Sequence, residues 1–302
     1  MRLIHLFCTA LLLLLPKLSA ESFNFIVASD LGRNGYYEQK PIAQVMGEYA
    51  EKMDIEFVAA VGDIHHFMGV RSVNDPLWMT NYELIYSHPE LMIDWYAVAG
   101  NHEYRGNTQA VLDYTNVSRR WYAPAKYYAR TVSADKETDC LLVFIDTTPL
   151  IDKYRKDSIG YPDTCLQDMT KQLQWIDSVL VNSTAKWKVV FGHHSTYADT
   201  GKSDTERADL QTRLAPILEG KADIYFSGHI HNFQHIQMPK SSIQYVVNSS
   251  ASLSRKVAST EGTQFCSPEA GFTLCSVSGE HLEFYFINGK GDVIYKYELR
   301  TE

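Results

Sequence analysis

Seven of the eleven histidines fall in four short, glycine-marked clusters: Gly62-Asp63-Ile64-His65-His66, Gly100-Asn101-His102-Glu103, Gly192-His193-His194 and Gly228-His229-Ile230-His231-Asn232. Each cluster directly follows an apolar, β-branched run. His, Asp and Asn side chains therefore stand where strands end and loops begin, so that several can converge on one point. A metal pair needs such a point. The pattern thus constrains the chemistry and the fold together.

Strand-like runs recur along the chain at Phe23–Ser29, Ile55–Val61, Trp95–Ala99, Leu141–Asp146, Trp187–Phe191, Ile224–Phe226 and Ile243–Val247. Their branched and aromatic content, with Gly or Asp closing several of them, fits buried strands. Helical patterns lie between them. Pro41–Met53 carries Ile42, Val45, Met46 and Tyr49 at helical spacing, Gln172–Leu180 carries Leu173, Trp175, Ile176 and Val179, and Arg207–Leu218 carries Leu210, Leu214, Ile217 and Leu218. A further helix is expected around Pro76–Tyr86. Alternating strands and helices predict an α/β domain. The last stretch reads as a meander, with strands at Phe272–Val277, His281–Ile287 and Val293–Leu299, so a second sheet is expected to close the fold. No Pro- or Ser-rich linker divides residues 21–302, which are read as one domain. Thr147–Asp168 is a long, polar, turn-rich loop of the kind that is functional or mobile.

The first twenty residues have the form of a secretory signal peptide. Arg2 supplies the positive start, Leu3 to Leu15 the apolar core and Leu18-Ser19-Ala20 a small-residue cleavage site. Cleavage after Ala20 leaves 26 basic against 36 acidic residues, a net charge of -10. That charge argues against a nucleic-acid partner, which needs a basic face. It does not exclude a small anionic substrate, because a metal pair reverses the charge locally. The apolar run is short for a bilayer span and no later run is longer, so no stable membrane insertion is expected. The destination is outside the cell or the periplasm. Export permits disulfides, and Cys140, Cys165, Cys266 and Cys275 are an even number, with at least one bridge expected. None lies near a histidine cluster, which argues against thiolate ligation. Asn116, Asn182 and Asn248 open N-x-S/T sequons.

In open α/β sheets ligands bind beyond the carboxyl ends of the strands. Asp30, Asp63, Asn101, His193 and His229 all lie at or just after such ends. Imidazole and carboxylate without thiolate suit Fe, Zn or Mn. The blocks Asp30-Leu31-Gly32, Gly62-Asp63 through Gly69-Val70, Gly100-Asn101-His102-Glu103, Gly192-His193 and Gly228-His229-Ile230-His231-Asn232 resemble those of the binuclear metallophosphoesterases, the calcineurin-like superfamily. Within it they are similar to the small purple acid phosphatases of the tartrate-resistant type. Trp95-Tyr96, Ser118-Arg119-Arg120-Trp121 and the terminal meander extend the similarity over almost the whole chain after residue 20.

The resemblance implies a two-sheet β-sandwich flanked by helices, an α/β/β/α architecture, and two metal ions. The first would take Asp30, a bridging Asp63, His66 and His231. The second would take Asp63, Asn101, His193 and His229. His102 falls where the family contacts phosphate and assists the leaving group. The implied activity is hydrolysis of small phosphate esters, primarily monoesters. Diesters, nucleotides or pyrophosphate on the same site, and a non-catalytic binding protein of this fold, are the competing readings. Glu103 either orients His102 or serves as a solvated or capping residue. His194 either touches substrate or fills space. Arg33, Tyr36, Tyr37 and Arg105 stand in loops able to reach substrate, although such residues are by default simply exposed.

One departure from the family pattern is informative. The family places tyrosine three residues after the bridging aspartate, where this chain has His66. His65 is the alternative ligand, since adjacent residues can exchange roles in a turn. A phenolate carries negative charge and stabilises trivalent iron, whereas imidazole is neutral. The substitution favours a divalent pair and predicts a protein that is not purple.

Overall fold

The computed structural model describes residues 22–134, 138–201 and 204–300. The expected signal peptide lies outside them. The chain builds one sheet, crosses to a second, and returns to the first. The opening strands are β1 (Phe23–Ala28), β2 (Ile55–Val61), β3 (Asp94–Val98) and β4 (Trp121–Tyr122). The second sheet uses β5 (Tyr128–Ser133), β6 (Asp139–Phe144), β7 (Trp187–Phe191), β8 (Ile224–Ser227), β9 (Phe233–Ile236), β10 (Gln244–Val247) and β11 (Thr263–Ser267). The meander β12 (Gly271–Val277), β13 (His281–Asn288) and β14 (Val293–Arg300) then rejoins the first.

Both sheets have seven strands, ordered β14-β13-β12-β1-β2-β3-β4 and β11-β9-β10-β8-β7-β6-β5. Strands β1 to β4 run parallel, and β12 joins β1 antiparallel. In the second sheet β6, β7, β8 and β10 are parallel, with antiparallel strands at both margins. The parallel strands are thus internal except β4, which ends the first sheet.

Strand periodicity separates the core into layers. Along β1, Phe25 and Val27 face the opposite sheet while Ile26 and Ala28 face outward into a second cluster, as a period of two requires. The layer between the sheets is aromatic: Phe25 stacks on Phe57 at 4.9 Å and Phe144 on Phe191 at 4.7 Å. Helix α1 (Gln39–Met53) covers the first sheet with Ile42, Ala43, Met46 and Ala50. Its Pro41 sits in the first turn, where a missing N–H is harmless. The short α2 (Thr108–Asp113) and α3 (Asp152–Lys156) cap loops, and α4 (Met169–Asn182) covers the second sheet through Ile176 and Leu180. The result is the expected α/β/β/α sandwich.

Several elements differ from the sequence reading. The helical pattern at 207–218 is two pieces, α5 (Thr205–Arg213) and α6 (Ala215–Leu218), because Pro216 cannot continue the i to i−4 ladder. The helix expected at 76–86 is a five-residue π-helical turn, Met79–Glu83. There Arg120 donates to the carbonyl of Leu91 and pairs with the Glu83 carboxylate at 2.9 Å, so tertiary contacts fix the segment. Strands β5, β9 and β11 carry polar residues and were not legible as strands. The four described cysteines are free thiols rather than a disulfide. Cys140 and Cys275 fill the inter-sheet core as small hydrophobes, while Cys165 is exposed. Asn248 is buried and accepts a hydrogen bond from Thr273, which removes it as a glycan acceptor, whereas Asn116 and Asn182 are exposed.

Candidate metal centre

The C-terminal ends of β1, β2, β3, β7 and β8 open on one side of the sandwich. Asp30, Asp63, Asn101, His193 and the pair His229 and His231 follow these ends. Four of the residues, Asp30, Asp63, His229 and His231, have positive φ (52°, 53°, 69° and 67°). Side chains other than glycine rarely adopt this conformation, and such strain clusters at functional sites. Close approach also dictates glycine at one neighbour: a Cβ on Gly100 would lie 2.2 Å from Asp63 Oδ1.

Asp63 Oδ2 is the hub. It lies 3.1 Å from His193 Nε2, 3.6 Å from His66 Nε2 and 3.7 Å from His102 Nε2. Its other oxygen accepts the His102 backbone N–H at 2.9 Å. On one side, donor atoms of Asp30, His66 and His231 converge, with His231 Nε2 at 2.9 Å from Asp30 Oδ1. On the other side, Asp30 and Asp63 converge with His193, whose ring centroid is 5.1 Å from that of His229. Asn101 is buried on the wall of the same cavity. Every residue predicted as a ligand is therefore brought to one place.

The hydrogen bonds at the far edges of the rings fix their tautomers. His193 Nδ1 donates to the Val61 carbonyl at 2.9 Å and His231 Nδ1 to the Leu253 carbonyl at 2.7 Å, so Nε2 of each turns to the site. His229 is reversed: its Nε2 donates to Glu206 Oε2 at 2.9 Å, which turns Nδ1 inward. Outer partners of this kind orient the ligands of metal sites. Asp30 Oδ2 accepts from Ser29 Oγ and from the His229 backbone N–H, both at 2.8 Å, leaving Oδ1 for the cavity. Burial alone would raise the Asp30 and Asp63 carboxyls, but His231 beside Asp30 and His193 beside Asp63 outweigh it and hold both well below the usual range.

Asp30 Oδ1, His66 Nδ1, Asn101 Oδ1 and His193 Nε2 are buried without a hydrogen-bond partner. Each such atom costs about 1–3 kcal/mol if left unsatisfied. Two imidazole–carboxylate pairs, His231 with Asp30 at 2.9 Å and His193 with Asp63 at 3.1 Å, crowd the same point. The oxygen and imidazole set fits two cations of the Fe, Zn or Mn class.

Three open points of the sequence reading acquire definite positions. His65 turns away from the cluster: its Nδ1 meets Asn81 at 3.3 Å and its ring packs edge-on against Trp78. Glu103 neither orients His102 nor faces solvent. It is buried and accepts the backbone N–H groups of Asp63, His65 and Gly100 at 2.8, 3.0 and 2.7 Å, clamping two site loops together. His102 is instead held by the Phe67 carbonyl, to which Nδ1 donates at 2.7 Å. His194 is buried, with Thr147 Oγ1 at 2.9 Å from Nδ1 and Tyr154 OH at 3.2 Å from Nε2, so it packs behind the site.

Sequence reading missed Glu206, Lys153, Tyr154 and Arg255, all of which line the cavity of about 470 Å³ over the hub. Glu206 lies on α5, far from any histidine cluster. Its Oε1 accepts from Lys153 Nζ at 2.6 Å and Tyr154 OH at 2.9 Å. The unusual length of the 147–168 loop was the available signal for Lys153 and Tyr154.

This sheet arrangement and donor set define a dinuclear metallophosphoesterase, and the chain belongs to the calcineurin-like phosphoesterase family, whose model matches residues 23–233. Its relatives are purple acid phosphatases. It is 32% identical to purple acid phosphatase 4 of Arabidopsis thaliana over 97% of this chain and 91% of that protein. It is 24% identical to tartrate-resistant acid phosphatase type 5 of Rattus norvegicus over 95% of each. Its fold is similar to that of GAP50, described as the anchor in the inner membrane complex of Plasmodium, with a TM-score of 0.79 at 22% identity over 93% of this chain and 89% of that one. The chain is a metal-dependent phosphoric ester hydrolase of the purple acid phosphatase kind.

Proposed function

We propose that this protein is an exported phosphomonoesterase in which residues 1–20 are a signal peptide and residues 21–302 the catalytic domain. One cation would be held by Asp30, Asp63, His66 and His231, and the other by Asp63, Asn101, His193 and His229. The observation that carries this reading is the convergence of buried, unsatisfied donor atoms on both sides of Asp63 Oδ2. When bound, such a pair neutralises phosphoryl oxygens and makes water acidic enough to attack at moderate pH. With His66 in place of a phenolate, the ligand charge suits two divalent ions. Among the described residues no helix is long and apolar enough to cross a membrane.

The chain's own groups supply the rest. His102 lies at the mouth of the hub, partly open to the cavity, with Nδ1–H committed to the Phe67 carbonyl and Nε2 turned inward. In its protonated form it would give a proton from Nε2 to the leaving alkoxide as the P–O bond breaks, and regain one released by the attacking water. Arg105, hydrogen-bonded to Tyr161 OH at 3.0 Å, brings a second positive group beside His102. The buried walls hold the donors in place, so little reorganisation is needed during the reaction.

Turnover of an aryl phosphate compared with its diester, on protein of measured metal content, tests the reading. Monoester hydrolysis is expected. Preference for the diester would assign a phosphodiesterase, and full metal without turnover of either would leave a binding protein.

A further inference from the structure

Glu206, Asp209 and Arg213 stand at i, i+3 and i+7 on α5 and so share one face of that helix. Helix α3 is seated on this face. Asp209 Oδ2 accepts the Asp152 backbone N–H at 2.8 Å. Arg213 pairs with Asp152 Oδ1 at 2.7 Å and donates to the Leu150 carbonyl at 2.6 Å. These contacts fix the start of α3 and bring its next two residues, Lys153 and Tyr154, to Glu206.

The Glu206 carboxylate is therefore gripped at both oxygens. Oε2 accepts from His229 Nε2, while Oε1 accepts from Lys153 Nζ at 2.6 Å and Tyr154 OH at 2.9 Å. Having given its proton to Glu206, Tyr154 accepts from His194 Nε2 at 3.2 Å. His194 Nδ1 then accepts from Thr147 Oγ1 at 2.9 Å. One consistent set of donors and acceptors runs from Thr147 to His229, and each bond in such a chain polarises the next.

Charge adds a second constraint. A histidine that holds a cation is neutral, so His229 in that role leaves the buried Glu206 charge uncancelled. Lys153 is the lysine or arginine that pairs with it among the described residues. Both side chains line the hub cavity. Without Lys153, a net negative charge would face the place where phosphate arrives.

We infer that Lys153 and Tyr154 are positioning residues, which fix and neutralise Glu206 and through it hold His229 to the second cation and keep the cavity receptive to an anion. Tyr154 supplies orientation alone. Lys153 supplies orientation and charge. The assignment rests on the two-cation reading proposed above, so metal affinity and phosphate affinity are measured separately.

Zn²⁺ titration of the apoproteins reads the first, and steady-state hydrolysis of p-nitrophenyl phosphate at saturating Zn²⁺ reads the second. Tyr154→Phe should weaken one site of two by about tenfold, as loss of an outer partner does, with KM near the wild-type value once that site is filled. Lys153→Met should weaken the same site and also raise KM at least about fivefold, more so at low ionic strength, while kcat changes less. Lys153→Arg should retain both properties. Lys153→Met/Glu206→Gln should return KM to about the wild-type value, because no uncompensated charge remains. A merely structural role would lower the melting temperature without moving KM or its salt dependence. Two sites of unchanged affinity in both single variants, or a raised KM that the double variant does not relieve, overturns the assignment even if the enzyme is active. Wild-type protein that binds no second ion overturns the two-cation reading and the assignment with it. Two ions bound without turnover overturns the phosphoesterase reading alone, and the titrations of the variants still decide the roles of Lys153 and Tyr154.

Discussion

Glu206 Oε2 accepts a hydrogen bond from His229 Nε2 at 2.9 Å, although the two residues are 23 positions apart in the chain. The bond selects the His229 tautomer whose Nδ1 faces the cavity. Burial would raise the Glu206 carboxyl, but His229 outweighs it and keeps Glu206 ionised. Glu206→Leu removes the acceptor at similar volume. Loss of such an outer partner typically lowers metal affinity about 10- to 100-fold. Titration of the apoprotein with Zn²⁺ should show one weakened site of two, with Glu206→Gln intermediate because its amide oxygen can still accept. Two sites of unchanged affinity in Glu206→Leu would make the contact merely structural.

The proposed mechanism gives His102 a duty separate from that of the ligands. Its Nδ1 is tied to the Phe67 carbonyl, and its Nε2 is 3.7 Å from Asp63 Oδ2. His102→Ala should lower kcat for an alkyl phosphate by about 10²- to 10⁴-fold, the usual worth of a general acid. Metal content should stay at the wild-type value. The loss should be smaller for p-nitrophenyl phosphate, whose leaving group needs little protonation. An equal loss for both substrates would point to phosphate binding instead of proton donation.

His66 supplies imidazole where the family resemblance leads one to expect phenolate. Iron-loaded, air-oxidised wild-type protein should lack the visible charge-transfer absorption of an iron phenolate. His66→Tyr should gain it, because position 66 stands within reach of Asp30 and His231. Visible spectra of the two proteins decide the matter; a purple wild type would remove the argument for a divalent pair.

Remote from the metal centre, His235 is buried between Tyr295 OH at 2.8 Å from Nδ1 and Gln244 Oε1 at 2.8 Å from Nε2. Burial lowers its pKa to about 4, only partly offset by the bond to Gln244. The folded state therefore refuses a proton that the unfolded chain accepts below about 6.5. Stability from this group is complete above pH 6.5 and is lost as pH falls toward 4, by up to about 3 kcal/mol. Urea midpoints should fall over that window in wild type and less steeply in His235→Phe. Parallel slopes would show that other groups govern acid sensitivity.

The sequence was legible where periodicity is strong and both faces of a strand are buried. Ile55–Val61 and Trp187–Phe191 have the bounds read from their residues, and the strand ends correctly located Asp30, Asp63 and Asn101. The margin strand β11 was hidden because solvent exposure permits polar residues such as Gln264. The site was legible to the depth of the residues gathered around Asp63. Glu103 and Glu206 were not, because a buried carboxylate serving backbone amides or a histidine edge has the same local sequence as a helix-capping one. Only the packing of distant segments distinguishes them.

One shared carboxylate, Asp63, stands at the centre of the proposed two-cation site. Elemental analysis of purified, metal-loaded protein tests it directly, with Asp63→Ala measured beside wild type. Two metal ions per chain are expected in wild type, and near-complete loss of both in Asp63→Ala, with phosphatase turnover falling in step. One ion or none in active wild-type protein, or two retained after Asp63 is replaced, would contradict the account.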